Sequence, residues 1–501
     1  MFDPRRGQVV AVGRVPTKTV HPRPEWSELL PEDLWEAVVA ATRQALSAID
    51  SPDRIAAVAA ASMGEAGIPI DRTGRYLYPA IAWYDPRTEP QRQWWQTNVD
   101  YYSIYQITGQ PRQRIYSVYK LMWLRDNVPE VYSAMHKWLC IEDFVLWKLS
   151  GEVATDYTVA SRTSLFDQMA KRWSSTVLAK AGIEPDLLPT AYPSGTQVGV
   201  VSEGAARETG LRTGTPVVTG GHDHLCGALA AGVVSPGVVL DSTGTAESLV
   251  VPIGEFRPDL KLLDGGYTCY CHVVPDVYVV KGGILGSGSL VDWLIEQFWA
   301  IDSLRDRADC AELYDAAFQE ASSSPLGAKG LFWSPLLMGG GTPLGDPLSK
   351  GTLVGITTAH RRGDFLRSLL EALGYWLREN LDHLQGLFGR DVCEQLVTIG
   401  GATNSPLWLQ IKADITGREV YATEVRESVA LGAALLAGLG SGVWRDASEA
   451  VKTVPASTKV YRPEPRNASR YRHLYETIYA PLYGKVATTC QAIHKEFWTE
   501  K

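Results

Sequence analysis

Over residues 32–49 apolar side chains recur at Leu34, Val38, Val39, Ala41 and Leu46, the spacing of an amphipathic helix, and residues 54–61 then read as a buried strand. The stretch between Thr88 and Gly151 is rich in aromatics. Two segments within it, 120–127 and 138–149, carry apolar residues at helical spacing and predict helices packed on something large. Residues 215–232 run from a strand through Gly220 and Gly221 into a helix of small side chains, which predicts close backbone approach. After the turn at Ser235, Pro236 and Gly237 a strand restarts over 238–242, so the second half repeats the α/β order of the first and a domain boundary falls near Gly232. Residues 396–399 predict a strand leading into a glycine turn, with Ser405 suited to cap a helix that starts at Pro406; residues 429–439 predict another helix. The tail from Asp446 mixes helical patterns with proline breaks and carries no evident chemistry.

The 501 residues favour two domains over one core. With 45% hydrophobic and 21% charged residues the balance is that of a soluble globular protein. The net charge of −8 is spread without long runs of one sign, which speaks against a nucleic-acid partner. No signal core opens the chain and no run of about 18 apolar residues occurs, so neither export nor a membrane is expected and a cytoplasmic location is. Seven scattered cysteines make no disulfide framework and fit a reducing compartment. Cys269, Cys271 and His272 fit a strand better than a metal site, because no second ligand pair follows at zinc spacing. Asn467 begins a glycosylation sequon by letters only.

Four constellations could carry chemistry. Residues 238–251 read as two strands joined at Thr243, Gly244 and Thr245; such a tip can aim N–H groups and hydroxyls at a phosphate, or be an ordinary hairpin turn. Asp223, after a double glycine at a helix start, can stay ionised and orient a hydroxyl, or simply cap the helix. His222 and His224 flank it, and consecutive positions should point them apart, away from a shared metal. Gly400, Gly401 and Asn404 form a glycine turn between strand and helix that would let a nucleotide approach the backbone. Glu65, at the end of a strand, and Trp83 and Asp85 beyond it are polar or aromatic groups where a polyhydroxyl ligand could be held; Asp85-Pro86-Arg87 reads equally as a turn with a surface ion pair.

In this order the segments resemble the FGGY carbohydrate kinases. Lys120-Leu-Met-Trp-Leu-Arg-Asp-Asn is similar to that family's N-domain signature, as are residues 151–167. Gly339-Gly-Gly-Thr-Pro-Leu-Gly-Asp-Pro, with 351–356 and 365–371, resembles its C-domain signature. The similarity runs from Phe2 to about Trp444. It implies an α/β fold of two ribonuclease-H-like, actin-type ATPase domains with a cleft between them: residues 1–232 for the sugar and 233–501, with a helical tail, for the nucleotide. It further implies ATP and Mg2+ as cofactors and a small sugar or polyol as substrate, with Asp223 as catalytic base that also touches the substrate. Thr243, Gly244 and Thr245 would form a phosphate loop, Gly400, Gly401 and Asn404 an adenosine motif, and Glu65, Trp83 and Asp85 substrate contacts; no protein metal ligand is assigned.

There are departures. Relatives open with a strand and an Asp-x-Gly-Thr type turn, whereas residues 1–10 here already look like the second strand of that hairpin, so the true start is expected upstream. Lack of the innermost strand would leave ladder groups and an apolar face uncovered. Gly340 and Gly64 stand where relatives carry acidic or larger polar residues. The expected activity is ATP-dependent phosphorylation of a sugar or polyol hydroxyl, set against a truncated, catalytically impaired binding protein and, less favoured, a sugar-independent ATPase of the actin-like superfamily. The identity of the sugar and formation of a homodimer stay open.

Overall fold

The computed structural model describes residues 1–299, 310–346, 348–423, 427–454 and 458–497. The first amphipathic helix forms over Pro31–Leu46, with Pro31 at its first turn and Trp35 and Leu46 turned inward. The strand after it runs Val58–Ser62 and is half-buried at every position, not buried as its composition suggested. It lies at the end of a three-stranded sheet, paired in parallel, among the described residues, only with Pro216–His222, which pairs antiparallel with Gln197–Val200. A cavity of about 470 Å3, lined by Ala59 and Ala61 and by residues 427–430 and 433, opens beside it. Residues 1–10 form a small hairpin of their own, Phe2 opposite Val9 and Asp3 opposite Gln8.

The helix expected over 138–149 is divided. Lys137–Cys140 is a strand paired with Gly67–Ile70, and the helix starts at Ile141. The reason lies in a distant partner: Gly67 lacks the Cβ that would lie 2.3 Å from the Trp138 indole, so the aromatic packs on the neighbouring strand. The helix Ser117–Asn127 forms as its pattern predicts and is buried from Ser117 to Leu124.

The second half is built on a seven-stranded sheet in the order Thr268–Cys271, Tyr278–Ile284, Glu247–Ile253, Gly237–Thr243, Cys393–Gly400, Val420–Thr423, Thr458–Tyr461. The central strand Gly237–Thr243 runs parallel to Cys393–Gly400, which is parallel to Val420–Thr423; the other pairs are antiparallel. One face is covered by the helix Asp223–Ala230, whose Leu225 and Leu229 pack with Leu240, Val250 and Tyr270. Against that helix lies Ser428–Gly440, and the approach is close: a Cβ at Gly432 would sit 1.9 Å from the Cys226 carbonyl oxygen. Ser428–Gly440 also touches both Val58–Ser62 and Pro216–His222, so these two helices lie between the two sheets. Asp223 thus stands where the strand of one sheet hands over to a helix that packs on the other.

Behind that junction three carboxyl groups are buried together. Glu142 accepts from the Gly220 N–H at 2.8 Å, Asp143 from the Cys140 N–H at 2.8 Å, and Asp156 from Thr158, Val159 and Ser194. Burial raises all three, Glu142 well above the usual carboxylate range and Asp143 to about 8, so Asp143 retains its proton at neutral pH. A carboxyl raised on folding contributes stability that is complete below about pH 4 and is lost as pH climbs through its folded value. The melting temperature should therefore fall between about pH 4 and 8, and Asp143→Asn should flatten that fall; an unchanged slope in thermal melts would refute the assignment.

Candidate active site

Asp223 is the first residue of its helix, with His222 as the capping residue, so the simpler reading of Asp223 as the cap does not hold. Its Oδ1 accepts the His224 N–H at 2.6 Å, and 40% of the side chain stays open to the cleft. Burial, then the charge of Glu65, push its carboxyl up to about 6, while His224 N–H, Lys281 and Arg162 pull the other way. The result is a carboxylate that is ionised at neutral pH yet basic enough to accept a proton.

The two histidines do not point apart. His222 ends a strand and His224 lies in the first turn of a helix, so strand alternation does not apply, and their rings lie 5.3 Å apart. His222 is buried and held neutral by desolvation and by Arg162. Its Nδ1 lies 3.2 Å from the Tyr270 hydroxyl and its Nε2 is 3.4 Å from Asp223 Oδ1. Tyr270 belongs to the strand Thr268–Cys271, so a group of the second sheet steadies the histidine beside Asp223.

The charges of Glu65 and Arg162 both act on Asp223, and Arg162 is bonded to Glu65. The guanidinium donates from Nε to Glu65 Oε1 at 2.7 Å and from Nη2 to the same oxygen, and its Nη1 reaches Gln110 Oε1 at 3.0 Å. Tyr116 and Tyr270 flank it at 5.3 and 5.6 Å. The glycine at position 64 is now accounted for: a Cβ there would lie 2.5 Å from the Arg162 Cβ, so the arginine occupies the space a larger residue would need.

Thr243 and Glu247 face each other across a three-residue tip, with Gly244, Thr245 and Ala246 exposed. The tip carbonyls receive the start of the helix Gly288–Phe298: Ser287 and Ser289 N–H donate to Thr245 O at 3.0 and 3.2 Å and Gly288 N–H to Gly244 O at 3.0 Å. Beneath the tip lies a fully buried cation, Lys412, bonded to Asp241 Oδ2 at 2.6 Å, Thr243 Oγ1 at 2.9 Å and Glu247 Oε1 at 2.9 Å. Thr398 adds a bond to Asp241 and Ser287 one to Glu247. Burial and the neighbouring Asp241 hold Glu247 up to about 8 against the pull of Lys412.

The glycine turn adjoins the tip. Gly400 has φ 90° and pairs with Thr243; a Cβ on it would lie 2.2 Å from the Thr243 carbonyl oxygen. Ser405 caps the helix Pro406–Thr416 through the Trp408 N–H, and Gly401 and Asn404 are exposed beside the tip. The same sheet reaches Asp223 through Lys281, whose charge acts on it. Lys281 pairs with Val250 and Ile284 with Glu247, so the tip lies on the order of 10 Å along the strand from Lys281.

Two expected contacts fare differently. Asp85 is corrected from substrate ligand to buried ion pair: Oδ1 accepts the Arg87 N–H and Nε at 2.9 Å, and Oδ2 accepts the Ser27 N–H at 2.6 Å and Arg87 Nη2 at 2.7 Å. Its side chain has no exposed surface, and Arg87 binds Glu28 as well, so the turn holds three elements together. Trp83 is 42% exposed, edge-on to Tyr84 at 5.3 Å, with its ring open to solvent. Cys269 and Cys271 lie buried on the strand Thr268–Cys271.

Arg162, Lys281, Tyr270 and Lys412 escaped the sequence reading. A signal existed for two of them: Lys281 interrupts an apolar strand just before Gly282, and Lys412 sits among Leu409, Ile411 and Ala413 on the buried face of its helix. Arg162 and Tyr270 gain their roles only from partners about 50 to 100 residues away.

Known proteins share this architecture. A xylulose kinase from Bacillus subtilis (strain 168) is 29% identical over 461 residues, covering 91% of this chain and 89% of its own. A glycerol kinase from Thermococcus gammatolerans is 29% identical over 483 residues, covering 95% and 92%. The crystal structure of a xylulose kinase from Rhodospirillum rubrum superposes with a TM-score of 0.86 at 27% identity over 95% of this chain and 94% of that one. Models of the N-terminal and C-terminal domains of the FGGY carbohydrate kinases match residues 1–230 and 242–441. With a carboxylate at the junction of two actin-type α/β sheets and both halves of the chain matched, the protein belongs to the FGGY family of carbohydrate kinases.

Proposed function

We propose that this chain transfers the γ-phosphoryl group of ATP to a hydroxyl of a small sugar or polyol, with a ketopentose or glycerol as the first acceptors to try, since the relatives named above act on these classes by name. The reading rests chiefly on Asp223, a carboxyl held at about 6, open to the cleft and coupled to a cation on the sheet that carries the Thr243–Thr245 tip. Asp223 takes the acceptor proton, the acceptor oxygen bonds to the γ-phosphorus, and the bond to the β–γ bridging oxygen breaks to release ADP. Glu65, fixed by Arg162, is the acceptor-hydroxyl contact, and the exposed Trp83 ring is a second, apolar surface for the acceptor. Thr243, Gly244 and Thr245 hold phosphate oxygens, while Gly400, Gly401 and Asn404 flank the adenosine.

The residues fit magnesium as an ion carried in on the nucleotide. Among the described residues no three His, Cys, Asp or Glu side chains come together to hold a metal, and this small hard cation commonly keeps its bonds to phosphate oxygens and water. The described residues include no helix long and apolar enough to cross a membrane.

The test is ADP formation with a panel of ketoses, aldoses and polyols. ADP release that requires one acceptor class supports the proposal and names the substrate; nucleotide binding with no ADP release under any acceptor would leave a binding protein, and release without acceptor an ATPase.

A further inference from the structure

The buried and half-buried cations near the cleft each have a bonding partner, with one exception, the half-buried Lys281. Arg162 is taken by Glu65 and Gln110, Lys120 by the Ile115 carbonyl, Lys171 by Cys271, and Lys412 by its carboxyl pair. Lys281 reaches out from the middle of the strand Tyr278–Ile284, between Val280 and Gly282, and its Nζ makes no hydrogen bond or ion pair with any described residue. It lies on the sheet face that carries Tyr270 and Val279, the face on which the helix of Asp223 packs. The groups around it are Arg162, Glu65, Asp223, His222 and His224, all within reach of its charge.

An ammonium in such a place is disfavoured twice, by desolvation and by the guanidinium beside it. Packing gives no reason for it, since the residues before it in the strand are buried valines. A strand position of this kind accommodates a charge when a ligand brings the opposite one. Glu65 is already bound by Arg162, and Asp223 is not in contact with Lys281. Because Glu65 is held by Arg162, an anionic ligand that meets the Lys281 ammonium would approach it from the side of Asp223, whose charge also acts on it.

We propose that Lys281 binds the non-bridging oxygens of the phosphoryl group in transit from ATP to the acceptor, which makes it a catalytic residue contributed by the nucleotide-side sheet. This rests on the kinase reading and extends it. While the new oxygen–phosphorus bond forms and the bridging bond breaks, negative charge spreads over three oxygens within a bond or two of the hydroxyl that Asp223 holds. A fixed ammonium there acts on the transition state more than on either bound substrate. Burial and Arg162 lower Lys281 to about 8, so it is charged at neutral pH and loses its proton as the medium turns alkaline.

The experiment is steady-state ADP formation by Lys281→Met in the full chain, with the best acceptor from the panel. The expected result is a fall in kcat of about 10²- to 10³-fold, with the acceptor KM and the ADP dissociation constant nearly unchanged. Lys281→Arg should restore part of the rate. The wild-type rate should decline above about pH 8, a limb absent from the Met variant and moved upward in the Arg variant. Equal kcat in wild type and Lys281→Met overturns this proposal alone. So does a raised KM confined to carboxylate-bearing acceptors with kcat intact for neutral ones, which would make Lys281 an acceptor-binding residue. Absence of ADP formation by the wild type overturns the kinase reading and this proposal with it.

Discussion

Asp223→Asn is expected to lower kcat by about 10³-fold, the middle of the range for loss of a positioned general base. The amide is the same size and keeps the oxygen that accepts the His224 N–H, so the helix start is preserved. What goes is the ability to accept the proton of the attacking hydroxyl. Because burial and Glu65 hold the wild-type carboxyl at about 6, the wild-type rate should rise with pH through about 6 as the base ionises, and the residual rate of the variant should lack that limb. ADP affinity should be unaltered, since the tip and the glycine turn lie along the sheet from this side chain. The protein should melt no earlier than wild type, because a carboxyl raised by burial adds nothing to stability above its folded value. A variant with full kcat would remove Asp223 from the chemistry; one that has lost ADP binding would show the residue shaping the nucleotide site instead.

Lys412→Met should be the most destabilising single change near the site, by about 3–5 kcal/mol, the cost of removing one partner from a buried charged pair. The methionine fits the volume, but the buried Asp241 carboxyl loses its cationic partner, with Oδ1 already without a hydrogen-bond partner among the described residues. Thr243 also loses its anchor, so the tip that meets Gly400 should loosen and ADP affinity fall with stability. The companion change Asp241→Asn in the same chain should recover much of the loss by removing that carboxyl. Denaturant unfolding and calorimetric ADP titration would check both; a single variant as stable as wild type would mean that the ammonium contributes nothing to holding the tip.

The hairpin with its Thr-Gly-Thr tip, the capped helix at Ser405 and Pro406, and the strand-to-helix turn at Asp223 were all legible, because each depends on neighbours in the chain: glycines at turns, a serine before a proline, apolar residues at a fixed period. The same local signals could mislead. Trp138 to Cys140 carry a helical spacing but form a strand, since the partner that decides the matter is Gly67, about 70 residues earlier. Asp85 looked like a ligand because it is a polar group beyond a strand end, and only the fold brings Ser27 and Glu28 against it and its neighbour Arg87.

Local order and the family signatures are thus written in the sequence: α/β alternation, the turn chemistry and the residue types a phosphoryl-transfer site requires. The tertiary structure alone decided which charges meet. It set Arg162 on Glu65, brought Lys281 toward Asp223 across two sheets and buried Lys412 under the tip. Backbone preferences act over a few residues, whereas the energy of a buried charge depends on whatever the chain, folded over 100 residues or more, places within a few ångströms of it.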